Sequence, residues 1–229
     1  MKKKLSRQEK IYYFSEEAFS LFEHWKVGGY RLLKVLKDTD RSYVALLEIE
    51  GRKFIYKEPR EKNHRKWQRF LSIFRGSESR REGLQMLEIE KKGFLGPKFQ
   101  FAYERKWASM TIHSFLVYSY IDAEEMTVHK AEKAFAYLKK IHDAGFLHGD
   151  SQLSNFLMDG EDIYLIDSKF QKNKYGALGS AYENYYFELS CPDCSFLTDR
   201  SHWAYKIAKK WKDLKEWWVK IKTKRRERK

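Results

Sequence analysis

Proline is nearly absent from this chain, with three among 229 residues, and no Gly/Ser-rich stretch interrupts it. Any lobes must therefore join through a short ordered hinge rather than a flexible tether. Cysteine is equally scarce: the two present form Cys191-Pro192-Asp193-Cys194. A single C-x-x-C lacks the second pair that structural zinc normally uses. Half a zinc site completed by His202 and a redox pair both stay open on spacing, but the embedded Pro and Asp suit an ordinary turn with buried, idle thiols. No apolar run approaches bilayer-spanning length. The Ile11–Phe14 patch behind the initial lysines runs straight into Ser15-Glu16-Glu17, which excludes a secretory signal. The expectation is a protein that is soluble or peripheral to a membrane, cytoplasmic by default. Internal repeats are missing, as are nucleic-acid recognition signatures, so no nucleic-acid partner is expected.

What is abundant is apolar and basic. A hydrophobic content of 42%, with 17% aromatic, is ample for a real core, and a net charge of +14 favours an anionic partner. Residues 206–229 carry twelve Lys/Arg against three Asp/Glu. Within this tail Trp203, Ile207, Trp211, Leu214, Trp218 and Ile221 recur at helical spacing with lysines opposite, the outline of an interfacial membrane helix. The alternative is a stripe packed on the rest of the protein, with solvated lysines. A second basic group spans Arg60 to Arg81. Its helix is expected to turn Trp67, Phe70, Leu71 and Phe74 inward and its cations outward.

Residues 30–37, 43–50 and 53–58 read as three antiparallel strands split by Asp38–Ser42 and Gly51-Arg52. A helix follows from Ser77 to a glycine stop at Gly93, carrying Glu82, Leu84, Leu87 and Ile89. Strand-like pieces at 98–104 and 112–121 come next. An amphipathic helix over 129–144 follows, with Ala131, Ala134, Phe135, Leu138 and Ile141 on one face. This order predicts a two-lobed α+β protein. The expected parts are an extension over 1–29, a β lobe over 30–120, a helical lobe over 121–201, and a basic helix and tail over 202–229.

The chemistry concentrates in His148-Gly149-Asp150-Ser151-Gln152-Leu153-Ser154-Asn155, with Asp167 seventeen residues beyond Asp150 after the apolar Ile163–Ile166. The interval leaves room for one hairpin. In H-x-D-x-x-x-x-N a loop can fold back and aim Asp and Asn the same way. Phosphoryl transfer from ATP asks for a carboxylate near the accepting hydroxyl, oxygen ligands for Mg²⁺ and cations against the phosphates. Asp150 is the candidate base, while Asn155 and Asp167 are the candidate Mg²⁺ ligands. Lys57, after Phe54-Ile55-Tyr56 on the third strand, is the candidate for the α- and β-phosphates. Glu82 would steady it, with Glu88 and Glu90 as rivals. The bland alternatives are a polar turn, an edge-strand lysine and a Glu placed for the helix dipole.

The order Lys57, Glu82, His148-Gly149-Asp150…Asn155, Asp167 resembles the protein-kinase-like fold over roughly residues 30–200. In particular it is similar to the lipopolysaccharide core heptose(II) kinase family, as are the basic insert Arg65–Glu78 and the segment Ala102–Lys106. The resemblance implies ATP- and Mg²⁺-dependent phosphorylation of a heptose hydroxyl of the lipopolysaccharide inner core. It also implies a place on the inner face of the cytoplasmic membrane. Gly149 stands where protein kinases usually carry Arg, no Ala-Pro-Glu follows Asp167, and 168–190 is short for a peptide-docking platform. These differences favour a small or sugar acceptor. Lys37–Ser42 contains no glycine, and Asp167 is followed by Ser168-Lys169 rather than Phe-Gly. Other small-molecule kinases, an atypical protein kinase and a catalytically decayed membrane-binding module are the alternatives.

Overall fold

The computed structural model describes residues 2–6 and 8–227. The chain divides at Asp122/Ala123 into two compact units. The first holds β1 (Lys2–Lys4), β2 (Glu9–Tyr13), α1 (Glu16–Lys26), β3 (Arg31–Asp38), β4 (Tyr43–Ile49) and β5 (Arg52–Glu58). After these come α2 (Arg60–His64), α3 (Lys66–Arg75), α4 (Glu78–Lys91), β6 (Phe99–Trp107) and β7 (Met110–Ser119). Its strands form one antiparallel sheet in the order β1-β2-β6-β7-β5-β4-β3.

Period-two alternation decides what each face receives. Phe101, Phe115 and Val117 pack with Ile11, Leu21 and Phe22 under α1. Their neighbours Ala102 and Leu116 pack with Met86 and Phe99 on the α4 side. Ser15 caps α1 by accepting from the Ala18 amide, with Glu16 and Glu17 in the first turn of the helix.

Three readings of this unit need correction. Residues 1–29, expected as an extension, carry β1, β2 and α1. Ile11 and Tyr13 alternate inward on β2, which pairs along β6 with Ile11 opposite Tyr103. The helix α3 does not bury its apolar face: Trp67 is 65% and Phe74 78% exposed, and Phe70 stacks between them. The seam beneath it is instead filled by small polar groups. Ser72 Oγ accepts from the Thr111 amide at 2.8 Å, and Asn63 Nδ2 donates to the Ser114 carbonyl at 3.1 Å. Leu84 on α4 is also exposed, its place in the core taken by Met86.

The second unit holds β8 (Glu124–Glu125), α5 (Ala131–Asp143), β9 (Phe146–Leu147), β10 (Phe156–Asp159) and β11 (Asp162–Leu165). It continues with β12 (Gln171–Lys172), α6 (Ala177–Ser190) and α7 (Trp203–Glu227). The strands β11, β10 and β8 form one small sheet, and β12 pairs with β9. The helix α5 buries Ala131, Ala134, Phe135, Leu138 and Ile141, the face its spacing predicts. The helix α7 meets α6 through Ala204, Ala208 and Ala181, and the Tyr205 hydroxyl donates to Glu188 at 3.0 Å. With alanines in that seam, Trp203, Ile207, Trp211, Leu214 and Trp218 are left exposed. The stripe thus faces outward. The side chains of the basic tail from Lys222 onward lie outside the described residues. Cys191 and Cys194 are buried as expected, but they are joined as a disulfide rather than idle thiols.

Candidate active site

Each unit presents one group of the predicted residues. In the first, Lys57 lies on β5, an interior strand, opposite Val44 on β4 and Leu116 on β7, so it is not an edge lysine. Its Nζ donates to Glu82 Oε1 at 2.6 Å, with the two side chains 18% and 16% exposed. Glu82 therefore fills the place for which Glu88 and Glu90 were rivals. Its neighbour Gly83 explains how α4 comes so near the sheet, since a Cβ there would sit 2.3 Å from the Phe99 ring. The glycine-free turn after β3 is closed by side chains. Ser42 N–H donates to Thr39 Oγ1 at 3.2 Å, and Arg60 pairs with Asp38 while its guanidinium lies 4.9 Å from the Tyr43 ring centroid.

In the second unit the loop after β9 is held from below by Glu183, in the middle of α6. Its buried carboxylate accepts from the His148 amide at 2.9 Å and the Gly149 amide at 2.5 Å, and lies 3.0 Å from His142 Nε2. Ser151 Oγ donates to the Glu183 carbonyl, and Ser168 Oγ donates to the His148 carbonyl, each at 2.8 Å. Asn155 Nδ2 donates to the Asp150 carbonyl at 2.8 Å, closing the loop back on itself. The Asp150 carboxylate accepts from Gln152 Nε2 at 3.0 Å and stays partly exposed.

Gly149 has φ +87°, and a Cβ at this position would come within 2.6 Å of Lys169 Cβ and 3.2 Å of its Cα. Only glycine fits both the backbone and the space. His148 is fully buried, and desolvation lowers its pKa to about 4 despite nearby Glu183, Asp150 and Asp167. It is thus a neutral ring whose Nδ1 accepts from the Asp150 amide at 3.3 Å.

The β10–β11 hairpin brings the remaining two residues to one end. Phe156 pairs with Leu165, and the Ile166 amide donates to the Asn155 carbonyl at 3.0 Å. Asn155 and the exposed Asp167 therefore flank the same hairpin end. Asp167 sits at φ +49°, a left-handed backbone that aspartate tolerates better than most residues. An amide oxygen and a carboxylate are hard donors that suit Mg²⁺, which binds through one or two protein ligands plus substrate phosphates. Among the described residues no group of three or more His, Cys, Asp or Glu gathers for a metal, which argues against a dedicated all-protein cage.

Glu183, Ser168 and the steric demand on Gly149 were missed by sequence reasoning. The available signal was a carboxylate set among the apolar Ala181, Tyr185 and Phe187 of α6.

The profile of the family described as lipopolysaccharide core biosynthesis protein (WaaY) matches residues 2–176. The chain belongs to that family. Its match takes in Lys57, Glu82, Asp150, Asn155 and Asp167, and ends before α6. Among solved structures, WaaP in complex with acyl carrier protein is similar with a TM-score of 0.55 at 14% identity, covering 80% of this chain and 81% of that one. The kinase domain of Mycobacterium tuberculosis PknI has a TM-score of 0.43 at 15% identity, covering 72% and 76%. A curated relative, the probable bifunctional tRNA threonylcarbamoyladenosine biosynthesis protein of Methanosarcina barkeri (strain Fusaro / DSM 804), is 28% identical over 160 residues. The alignment covers 69% of this chain but only 28% of that protein, so this chain spans under a third of its length. The fold is two-lobed and protein-kinase-like, with a small antiparallel β lobe and a mainly helical lobe. Family and fold together give a lipopolysaccharide core biosynthesis protein on a protein-kinase-like fold.

Proposed function

We propose that this protein is a phosphotransferase that moves the γ-phosphoryl group of ATP to a heptose hydroxyl of the lipopolysaccharide inner core. The observation that carries the reading is the Asp150 loop in a chain of this family: a partly exposed carboxylate on a backbone fixed by Glu183, Ser168 and Asn155. Asp150 accepts the proton of the heptose hydroxyl as its oxygen bonds to the γ-phosphorus. The bond from that phosphorus to the β–γ bridging oxygen breaks, and ADP leaves with the electron pair. Lys57, steadied by Glu82, lies against the α- and β-phosphates. Asn155 and Asp167 would hold Mg²⁺, which when bound would supply positive charge against the phosphates of the nucleotide.

The outward Trp-rich face of α7 supports a place on an anionic membrane surface, on the cytoplasmic side where ATP is found. Each lysine or arginine near the headgroups adds roughly 1 kcal/mol. Among the described residues no helix is long and apolar enough to cross a membrane. Vesicle co-sedimentation should show binding to phosphatidylglycerol-containing but not purely zwitterionic vesicles.

The deciding experiment is incubation of the purified full chain with Mg-ATP and truncated core lipopolysaccharide, read by mass spectrometry. A gain of one phosphate on the glycan is expected. Label appearing only on protein or on a free aminoglycoside would overturn the acceptor assignment.

A further inference from the structure

Within the second unit a cavity of about 620 Å³ opens beside the Asp150 loop, walled by α6 and α7. Asp150 lines it, but neither Asn155 nor Asp167 does, so the cavity offers the candidate base to something other than the metal-bound nucleotide. Its volume is that of an ordinary ligand site. Four aromatic rings line it, Tyr175 just ahead of α6, Tyr182 and Tyr186 from α6 and Trp211 from α7. Lysine ammonium groups ride on those rings: Lys215 lies 5.3 Å from the Tyr182 centroid and 5.7 Å from Trp211, and Lys212 lies 4.9 Å from Tyr186.

Aromatic faces are electron-rich and flat, a match for the C–H face of a sugar ring. The ammonium groups match an anionic substituent on such a ring. Lys169 adds another cation to the lining. Of the two carboxylates there, Glu183 is already engaged by two backbone amides and lies against His142. That leaves Asp150 to face a hydroxyl.

We infer that this α6–α7 groove is the acceptor subsite, and that it takes a sugar bearing a phosphate or carboxylate, stacked on Tyr182, Tyr186 and Trp211 with its anion on Lys169 and Lys215. The inference rests on the kinase reading above and extends it to residues of α6 and α7 that lie beyond the family match. Because Trp211 and Lys215 belong to α7, the helix with the outward apolar stripe also forms a wall of the groove.

The test uses the full chain and deacylated core oligosaccharide, so that membrane binding plays no part. Acceptor and ATP are each titrated in turnover, and oligosaccharide binding is measured by calorimetry without nucleotide. Trp211→Ala and Lys215→Gln alter exposed side chains and leave the α6–α7 seam intact. Each should raise the acceptor KM and the calorimetric Kd about tenfold, the loss of one charged or stacked contact, with the ATP KM unchanged. Removing phosphates from the oligosaccharide sorts the anion. If the Lys215→Gln effect vanishes the contact is to phosphate, and if it persists the contact is to carboxylate; both support the groove. An unchanged acceptor KM and Kd in both variants, or an equal rise in the ATP KM, would overturn it. Wild-type binding without turnover, weakened in the variants, would leave the groove standing and sink the kinase reading instead.

Discussion

The two groups of candidate residues are held in place by different means. Lys57 and Glu82 position each other through one direct ion pair, brought within reach by the glycine that lets α4 lie on Phe99. Asp150 makes no comparable pair. It is positioned through its backbone, by a buried helix carboxylate more than thirty residues further along the chain. A pair of side chains can carry its own geometry, whereas a loop has to borrow rigidity from whatever it rests on. The first arrangement is visible in sequence as two charged residues, and the second leaves only a glutamate among the apolar residues of a helix.

The largest expected effect is at the loop's working end. Asp150→Asn removes the proton acceptor but keeps the Gln152 contact, and kcat should fall about 10²- to 10⁴-fold with nucleotide affinity nearly unchanged. Turnover measured beside nucleotide titration checks this, and wild-type turnover would reject the assigned role. Glu183→Ala comes next. It strands two buried amides and the facing His142, and should cost roughly 3–5 kcal/mol in denaturant unfolding together with most activity. Glu183→Gln, which keeps one acceptor, should recover part of both.

The loop also carries a pH signature. His148 titrates near 4 in the folded chain against about 6.5 unfolded. The unfolded state therefore binds more protons between those values, so stability is complete above 6.5 and falls as pH drops toward 4. The full loss is roughly 3 kcal/mol, and His148→Phe should flatten that part of the stability–pH curve. Glu82→Gln, by contrast, keeps the size and loses the charge. It should raise the ATP KM about tenfold through Lys57 while leaving stability nearly unchanged. Smallest of all, Ser77→Ala removes the cap of α4, whose hydroxyl accepts from the Arg80 amide, and should cost about 1 kcal/mol.

How far the sequence foretold this follows the same division. The strand of Lys57, the helix of Glu82 and the hairpin joining Asn155 to Asp167 were legible because apolar periodicity and turn residues are local signals. The amphipathic helices α3 and α7 were less so. Periodicity shows that a face exists but not what covers it, and in both cases small or polar residues took the seam while the aromatics remained outside. Glu183 was illegible because its partners are backbone amides, which leave no trace in residue identity. Gly149 was read by what protein kinases carry there; the reason for glycine lay across the loop, in the backbone of Lys169.

The pairing of β2 has a consequence for synthesis. Glu9 on β2 pairs with Arg105 on β6, so β2 must wait for nearly a hundred more residues before its ladder with β6 can close. Until then the edge of β2 that faces away from β1 is open to the wrong neighbour. Nascent chains stalled before residue 99 should consequently be the most chaperone-dependent, and those stalled after β7 emerges the first to resist protease.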